Sequence, residues 1–366
     1  MQTPSLQNVA LGKPVTDGPY FGPSWQVDLG GEHLVRTVVV HYSRELGARL
    51  RRLRILTSRD GRRWRTVFRG LDGDSPAPGE PFVAGIEEGP IARHVRVQMD
   101  ASDWIYFGPC EVLGAAPDPA SLERVSSEDA MADGVARGRD GHFAAVGDHE
   151  IFIDRGRYSA RMVAELSDPA YEQSSRNLVR RVVGYGDRVI DLGTAVGVTA
   201  MAAASLVGPD SVVSFEANPR LIEDARGNFA RNGLGAIGLR NGVLRNRARF
   251  VPGDRAELHV HRDFWASRLA SGPPGEDVVE VVHVPVFCLE DEIAAHRADV
   301  LVCNIEGGEV ELLTDADLSP IRVLVLETHY WAAGVAPTDA MIRKLVLSGF
   351  NIDLAISGNQ RLALRR

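Results

Sequence analysis

Two textures of hydrophobic spacing divide the chain. In residues 1–116 the apolar positions come as short β-branched runs, at 37–40, 54–57 and 94–99, separated by Gly, Asp and Pro turn signals. Trp25, Val27 and Leu29 alternate with polar neighbours, which is the period-two pattern of a strand with one buried face, and Asp60-Gly61 is a hairpin-turn dipeptide. This part predicts a β-sandwich. From residue 147 onward the pattern predicts a helix at 168–183, a strand at 188–191, a helix at 198–206, a strand at 211–215 and a helix at 219–232. Strand and helix alternate, so a parallel, doubly wound α/β sheet is expected. Residues 117–146, rich in Ala, Pro, Asp, Ser and Gly, read as a linker region with one short helix near 122–131.

Composition supports two domains and narrows the partners. The 366 residues exceed a typical domain of roughly 150, and 44% hydrophobic with 25% charged residues is an ordinary globular balance. A net charge of -8 disfavours nucleic acid, because neutralising phosphates needs a basic surface. Residues 1–120 are balanced, so the acidic excess lies in the remainder. All basic residues except Lys13 and Lys344 are arginine, a bias that fits GC-rich codons better than many separate guanidinium sites. Cys110, Cys288 and Cys303 are odd in number and lack metal-ligand spacing, so neither a disulfide framework nor a zinc site is suggested. The first ten residues lack the pattern of a secretory signal, and a cytoplasmic location is expected. Residues 192–209 carry no charge but are Ala- and Gly-rich and lie between Asp191 and Asp210, so no membrane span is expected.

Five pieces of the first part, NVALGKPV (8–15), WQVDLG (25–30), ILTSRDGRRWRTVF (55–68), ARHVRVQM (92–99) and CEVLG (110–114), together resemble the discoidin, or coagulation-factor type C, family. The resemblance implies a galactose-binding-like jelly roll over 8–114 whose relatives bind ligands, often sugars, in loops at one end. Only nine residues, 16–24, separate the first two pieces, where many relatives carry a longer ligand-bearing segment. A docking or scaffold role therefore gains weight over a deep sugar site.

In the second part VIDLGTAVG (189–197) is an apolar strand ending in Asp191, followed by Gly-x-x-x-Gly and a helix. Glycines let a backbone approach a ligand at the carboxyl end of a strand, and a helix N-terminus favours negative charge. The G-x-G-x-x-G dinucleotide fingerprint is absent, since Ala195 stands where its second glycine would fall. The spacing suits S-adenosylmethionine, which has no pyrophosphate. Glu216, at the end of the next strand, is placed to accept hydrogen bonds from ribose hydroxyls. The plainer alternative is that Gly193 and Gly197 only let strand and helix pack.

Further blocks, Ala170-Tyr171-Glu172, SFEANP (214–219), DVLVCNIEGGE (299–309), VLVLETH (323–329) and Leu347-Ser348-Gly349-Phe350, follow in an order that resembles FkbM-type methyltransferases over 147–366. The resemblance implies a class I, Rossmann-like domain that methylates a hydroxyl of a sugar, glycan or glycosylated natural product. It places S-adenosylmethionine against Asp191, Gly193, Thr194, Gly197, Glu216, Ala217, Asn304 and Glu172. The family usually has Asp where this chain has Asn304. An amide is a poor ligand for a hard divalent cation, so a metal is not expected.

Methyl transfer needs the acceptor aligned and its proton removed. His329, whose ordinary pKa is near neutral, is the expected base, with Glu306, Glu309 and Glu327 as further catalytic candidates. Tyr330 and Trp331 are candidates for a sugar-stacking wall or for core residues. The rival readings are a non-catalytic carbohydrate-binding protein with a degenerate methyltransferase domain and, less favoured by the glycine spacing, an NAD-dependent oxidoreductase.

Overall fold

The computed structural model describes residues 6–13, 15–17, 24–42, 53–70, 80–86, 89–99, 107–120, 122, 139–184, 186–270, 272–358 and 360–366. The chain divides into two compact units, Met1–Asp133 and Gly134–Arg366.

The first unit is the expected β-sandwich. Its organising element is the long strand Ser24–Tyr42, which pairs antiparallel with Ile91–Met99 through its first half and with Phe107–Ala115 and Phe82–Gly85 through its second. Irregular register between Asp28 and His33 separates the two halves, so one strand serves both pairings. The alternation read from the sequence holds: Trp25, Val27 and Leu29 are buried, and they pack with Val38, Ile55 and Val97 in one apolar core. Gly61, at a positive φ of 74°, helps turn the Leu53–Ser58 strand into Arg65–Arg69, and Asp60 accepts from the backbone N–H of Arg62 and Arg63.

The second unit starts before residue 147. A strand at Gly141–Val146 lies inside the stretch expected to be a linker and pairs with His149–Asp154 across a turn at Gly147. Asn228 and Asn232 of the Pro219–Arg231 helix and its cap hold the hairpin through the N–H groups of Phe152 and Glu150. These are contacts between distant residues that no local pattern announces. The helix expected near 122–131 falls almost wholly outside the described residues.

The unit is built on one seven-stranded sheet: β1 (Val189–Leu192), β2 (Val212–Glu216), β3 (Gly238–Asn241), β4 (Val300–Cys303), β5 (Val323–Glu327), β6 (Asn351–Ile352) and β7 (Arg361–Arg365). The spatial order is β3-β2-β1-β4-β5-β7-β6, with β1 to β5 parallel and β7 antiparallel between β5 and β6. β1 and β4 are buried at every position because helices cover both faces, which is why they are apolar except for Asp191 of β1. The helices Gln173–Val182 and Val198–Val207 pack on one face, while Leu289–His296 and Val335–Leu347 contribute to the other core. This is the Rossmann-like class expected.

Two features depart from the sequence reading. The helix expected at 168–183 is confined to Gln173–Val182, because Pro169 and a left-handed Glu172 (φ 50°) keep residues 168–172 out of the spiral, and a separate, unexpected helix, Ala160–Leu166, precedes it. Between β3 and β4 the chain also inserts a four-stranded sheet, made of Val243–Arg245, Val278–Cys288, Arg255–His261 and Arg268–Leu269 in that order. Among the described residues no helix is long and apolar enough to cross a membrane.

Candidate active site

The carboxyl ends of β1, β2, β4 and β5 open into one cavity of about 630 Å³, where a doubly wound sheet places its ligand. The loop after β1 closes onto β2, since the N–H groups of Gly193 and Thr194 both donate to the Phe215 carbonyl (3.0 and 3.2 Å). Both glycines sit at positive φ, 80° and 96°. A Cβ on Gly193 would meet the Asn304 carbonyl oxygen at 1.8 Å, and one on Gly197 would meet the Phe229 ring at 2.5 Å. The plainer explanation of the glycines is therefore correct as far as it goes. They are needed for packing, and that packing is what holds the β1 loop at the cavity wall.

Asp191 braces this loop. Its carboxylate accepts from the Thr194 hydroxyl at 2.6 Å and the Ser214 hydroxyl at 3.1 Å, and burial pushes its pKa up to about 6 against those bonds. Thr194 therefore spends its hydroxyl inside the loop. Glu216 accepts from the backbone N–H of Ala195 at 2.9 Å and of Asn218 at 2.7 Å; burial pushes it up to about 7 although these N–H groups favour the charge. A carboxylate has about four acceptor positions, so ribose hydroxyls can still find lone pairs on Glu216. Asn241, which the sequence reading missed, donates to the carbonyls of Glu216 and Ala217 (2.9 Å each) and fixes the end of β2. Nothing in its local sequence marks it, because its partners are 24 and 25 residues away.

At the end of β4, the Asn304 N–H donates to Leu192 O at 3.0 Å, while its side-chain oxygen is buried with no hydrogen-bond partner. A buried acceptor left unpaired is costly, and this one belongs to a cavity-wall residue. The rest of the floor is carboxylate-rich. Glu327 pairs with Arg361 at 2.9 Å, and Glu172 accepts from Ser175 at 2.6 Å while lying 3.6 Å from the same guanidinium. Glu306 carries a left-handed backbone (φ 55°), and burial pushes its pKa up to about 7, with His329 opposing and Glu327 adding to the rise. Burial and the neighbouring Glu172 raise Glu327 as well. Such carboxylates favour a cationic ligand, whose charge would stabilise their ionised forms.

His329 and Glu309 are not part of the cavity wall among the described residues, contrary to the expectation that His329 faces an acceptor. Both are buried behind Glu306, with His329 Nδ1 2.6 Å from Glu309 Oε1 and Nε2 3.4 Å from Glu306 Oε2. Glu309 also accepts from the Ile305 N–H at 3.1 Å. Tyr330 and Trp331 form no wall either: Trp331 is 63% exposed, and the next residue, Ala332, lines the cavity. The aromatic wall comes instead from Phe264 and Trp265 on the inserted segment, which also brings Arg245, Arg249 and Arg268. An adjacent Phe-Trp pair in a charged stretch was the available signal for that wall. No group of three or more His, Cys, Asp or Glu suited to a metal occurs among the described residues.

Residues 12–110 match the F5/8 type C domain, and residues 191–352 match the methyltransferase FkbM domain. Among solved structures the chain is similar to CBM32-1 from a family 31 glycoside hydrolase of Clostridium perfringens, at 15% identity over 29% of this chain and 81% of that one (TM-score 0.22). It is also similar to the lectin domain of lectinolysin complexed with Lewis B antigen, at 18% identity over 29% and 95% (TM-score 0.24). A fucose binding module of Streptococcus pneumoniae, SpX-3, gives 16% over 29% and 97% (TM-score 0.24). No curated protein matches the chain.

Proposed function

We propose that this chain, which carries an F5/8 type C domain ahead of a methyltransferase FkbM domain, moves a methyl group from S-adenosylmethionine to a hydroxyl of a sugar, glycan or glycosylated natural product. The observation that carries the cofactor reading is the unpartnered side-chain oxygen of Asn304, a residue in the wall of a cavity whose floor is rich in carboxylates. An acceptor without a donor, beside Glu172, Glu306 and Glu327, fits a ligand bearing an ammonium group and a sulfonium charge. An NAD reading gains nothing from these carboxylates, which offer a pyrophosphate no donors.

In this reading Glu216 takes the ribose hydroxyls, and the Gly193–Gly197 loop, braced by Asp191 and Thr194, lies along the cofactor. Asn304 accepts from the ammonium group, and Ala217 and Glu172 complete the wall. S-adenosylmethionine, when bound, supplies an electrophilic methyl carbon whose bonding pair to sulfur stays on sulfur as the acceptor oxygen attacks. The protein's share is to align the acceptor, exclude water and take a proton. Phe264 and Trp265 offer an apolar face for a sugar ring, and the arginines of the inserted segment offer donors for its hydroxyls. The β-sandwich serves as a docking or substrate-presenting module.

Calorimetry with S-adenosylmethionine, S-adenosylhomocysteine and NAD tests the cofactor, and product release on a panel of glycosides with and without chelator tests the chemistry. Binding of S-adenosylmethionine with chelator-insensitive release is expected. Tight NAD binding without S-adenosylmethionine binding would overturn the assignment, and cofactor binding with no turnover on any glycoside would favour the non-catalytic rival.

A further inference from the structure

We propose that Glu306 takes the acceptor's proton and that His329, clamped by Glu309, is a positioning cation that holds Glu306 ionised and aimed at the cavity. The proposal rests on the methyl-transfer reading and replaces the histidine base expected from the sequence.

The geometry decides between the two bases. A general base needs a free lone pair within reach of the proton it removes. Both ring nitrogens of His329 face carboxylates, Glu309 2.6 Å from Nδ1 and Glu306 3.4 Å from Nε2, an arrangement that favours the doubly protonated ring, and in that form neither nitrogen keeps a lone pair for a base. Its side chain is only 6% exposed and does not line the cavity. Glu306 does line it, keeps 27% of its side chain exposed, and is the only one of the trio on the cavity wall. Its left-handed backbone, a conformation that side chains other than glycine rarely adopt, fits the strain found at functional sites.

The charges facing this trio come from three other places. Glu327 at the end of β5 and Glu172 ahead of the Gln173–Val182 helix act on Glu306; Glu327 also acts on His329; and Arg361 of β7 pairs with Glu327. Burial first, then Glu327, Glu309 and Glu172, push Glu306 toward its neutral form, and His329 is the group that opposes them. Burial works against the charge on His329, but the bond to Glu309 and the fields of Glu306 and Glu327 outweigh it and raise its pKa.

The step balances without another reactant. The acceptor O–H bond breaks and its proton bonds to a Glu306 carboxylate oxygen, while the electron pair stays on the acceptor oxygen as that oxygen bonds the methyl carbon. The sulfonium charge and the Glu306 charge disappear together, and Glu306 then releases its proton to water through its exposed edge.

The test is an NMR titration of the intact chain between pH 5 and 9, with imidazole nitrogens and glutamate carboxyl carbons labelled. His329 is expected to be doubly protonated at pH 7. In His329→Gln the Glu306 midpoint should rise by one pH unit or more, and in Glu309→Gln the His329 midpoint should fall by a similar amount. A neutral His329 at pH 7 in the unaltered chain overturns the proposal without needing any variant to fold, and so does a Glu306 midpoint unmoved in a folded His329→Gln. Turnover on an acceptor glycoside gives a second arm. His329→Gln should recover activity at alkaline pH, whereas a rate reduced roughly 10²–10⁴-fold at every pH marks His329 as the base itself. Calorimetry with S-adenosylmethionine on the same samples separates the two failures, since absent binding sinks the methyl-transfer reading while the titrations still judge the relay.

Discussion

Gly193 and Asn304 touch: the α-carbon of the glycine lies so close to the Asn304 carbonyl that a Cβ would stand 1.8 Å from that oxygen. The loop after β1 and the loop after β4 thus form one piece of cavity wall. Gly193→Ala is expected to cost about 2–4 kcal/mol, from a left-handed alanine plus a backbone clash that no rotamer relieves. Denaturant unfolding measures it, and a loss below about 0.5 kcal/mol would mean that the two loops part easily.

Asn304→Ala should show opposite effects on two readouts. Removing a buried oxygen without a partner relieves its desolvation cost, so stability should hold or rise by about 1 kcal/mol, while S-adenosylmethionine affinity should fall about tenfold. Thermal unfolding with calorimetry reads both. Unchanged affinity would remove the observation on which the cofactor reading rests.

For Glu216, substitution by alanine is expected to weaken S-adenosylmethionine binding by about 1–3 kcal/mol. It also leaves the N–H groups of Ala195 and Asn218 without their acceptor, so the loop should loosen. Glu216→Gln, which keeps one accepting oxygen, should lose less on both counts. Equal affinity in all three proteins would place the ribose elsewhere.

Stability of the ligand-free chain should fall as pH rises from 5 to 8, the raised carboxylates outweighing the opposite contribution of His261 and His296, whose folded values burial lowers. Asp191, Glu216 and Glu306 have folded values of about 6, 7 and 7 against 3.8, 4.5 and 4.5 unfolded, and His329 is also raised. A raised folded value means that the folded state binds protons more tightly. The stability this contributes is complete below the unfolded value and is lost as pH climbs through the folded one. Thermal melts of the second unit across this range check the sign, and Glu216→Gln should flatten the slope. A midpoint that climbs from pH 5 to 8 would show these carboxylates to be ionised at no cost.

What the sequence determined by itself was whatever local periodicity and short-range spacing encode. Alternation at Trp25, Val27 and Leu29 was enough for a sandwich strand, because the side-chain period of a strand is two residues whatever it packs against. The alternation of strand and helix patterns between residues 168 and 232 announced a parallel sheet, and Gly193, Gly197 and Glu216 marked its ligand end through their spacing over two successive strands. Tertiary structure decided what depends on partners far apart in the chain. The Gly141–Val146 strand exists through the hairpin that Asn228 and Asn232 grip; the aromatic wall comes from an inserted sheet; and Arg361 reaches Glu327 only because β7 lies beside β5. The exchange of roles proposed for His329 and Glu306 has the same origin. A histidine's ordinary pKa is a property of the residue, but which carboxylates flank its two nitrogens is a property of the fold.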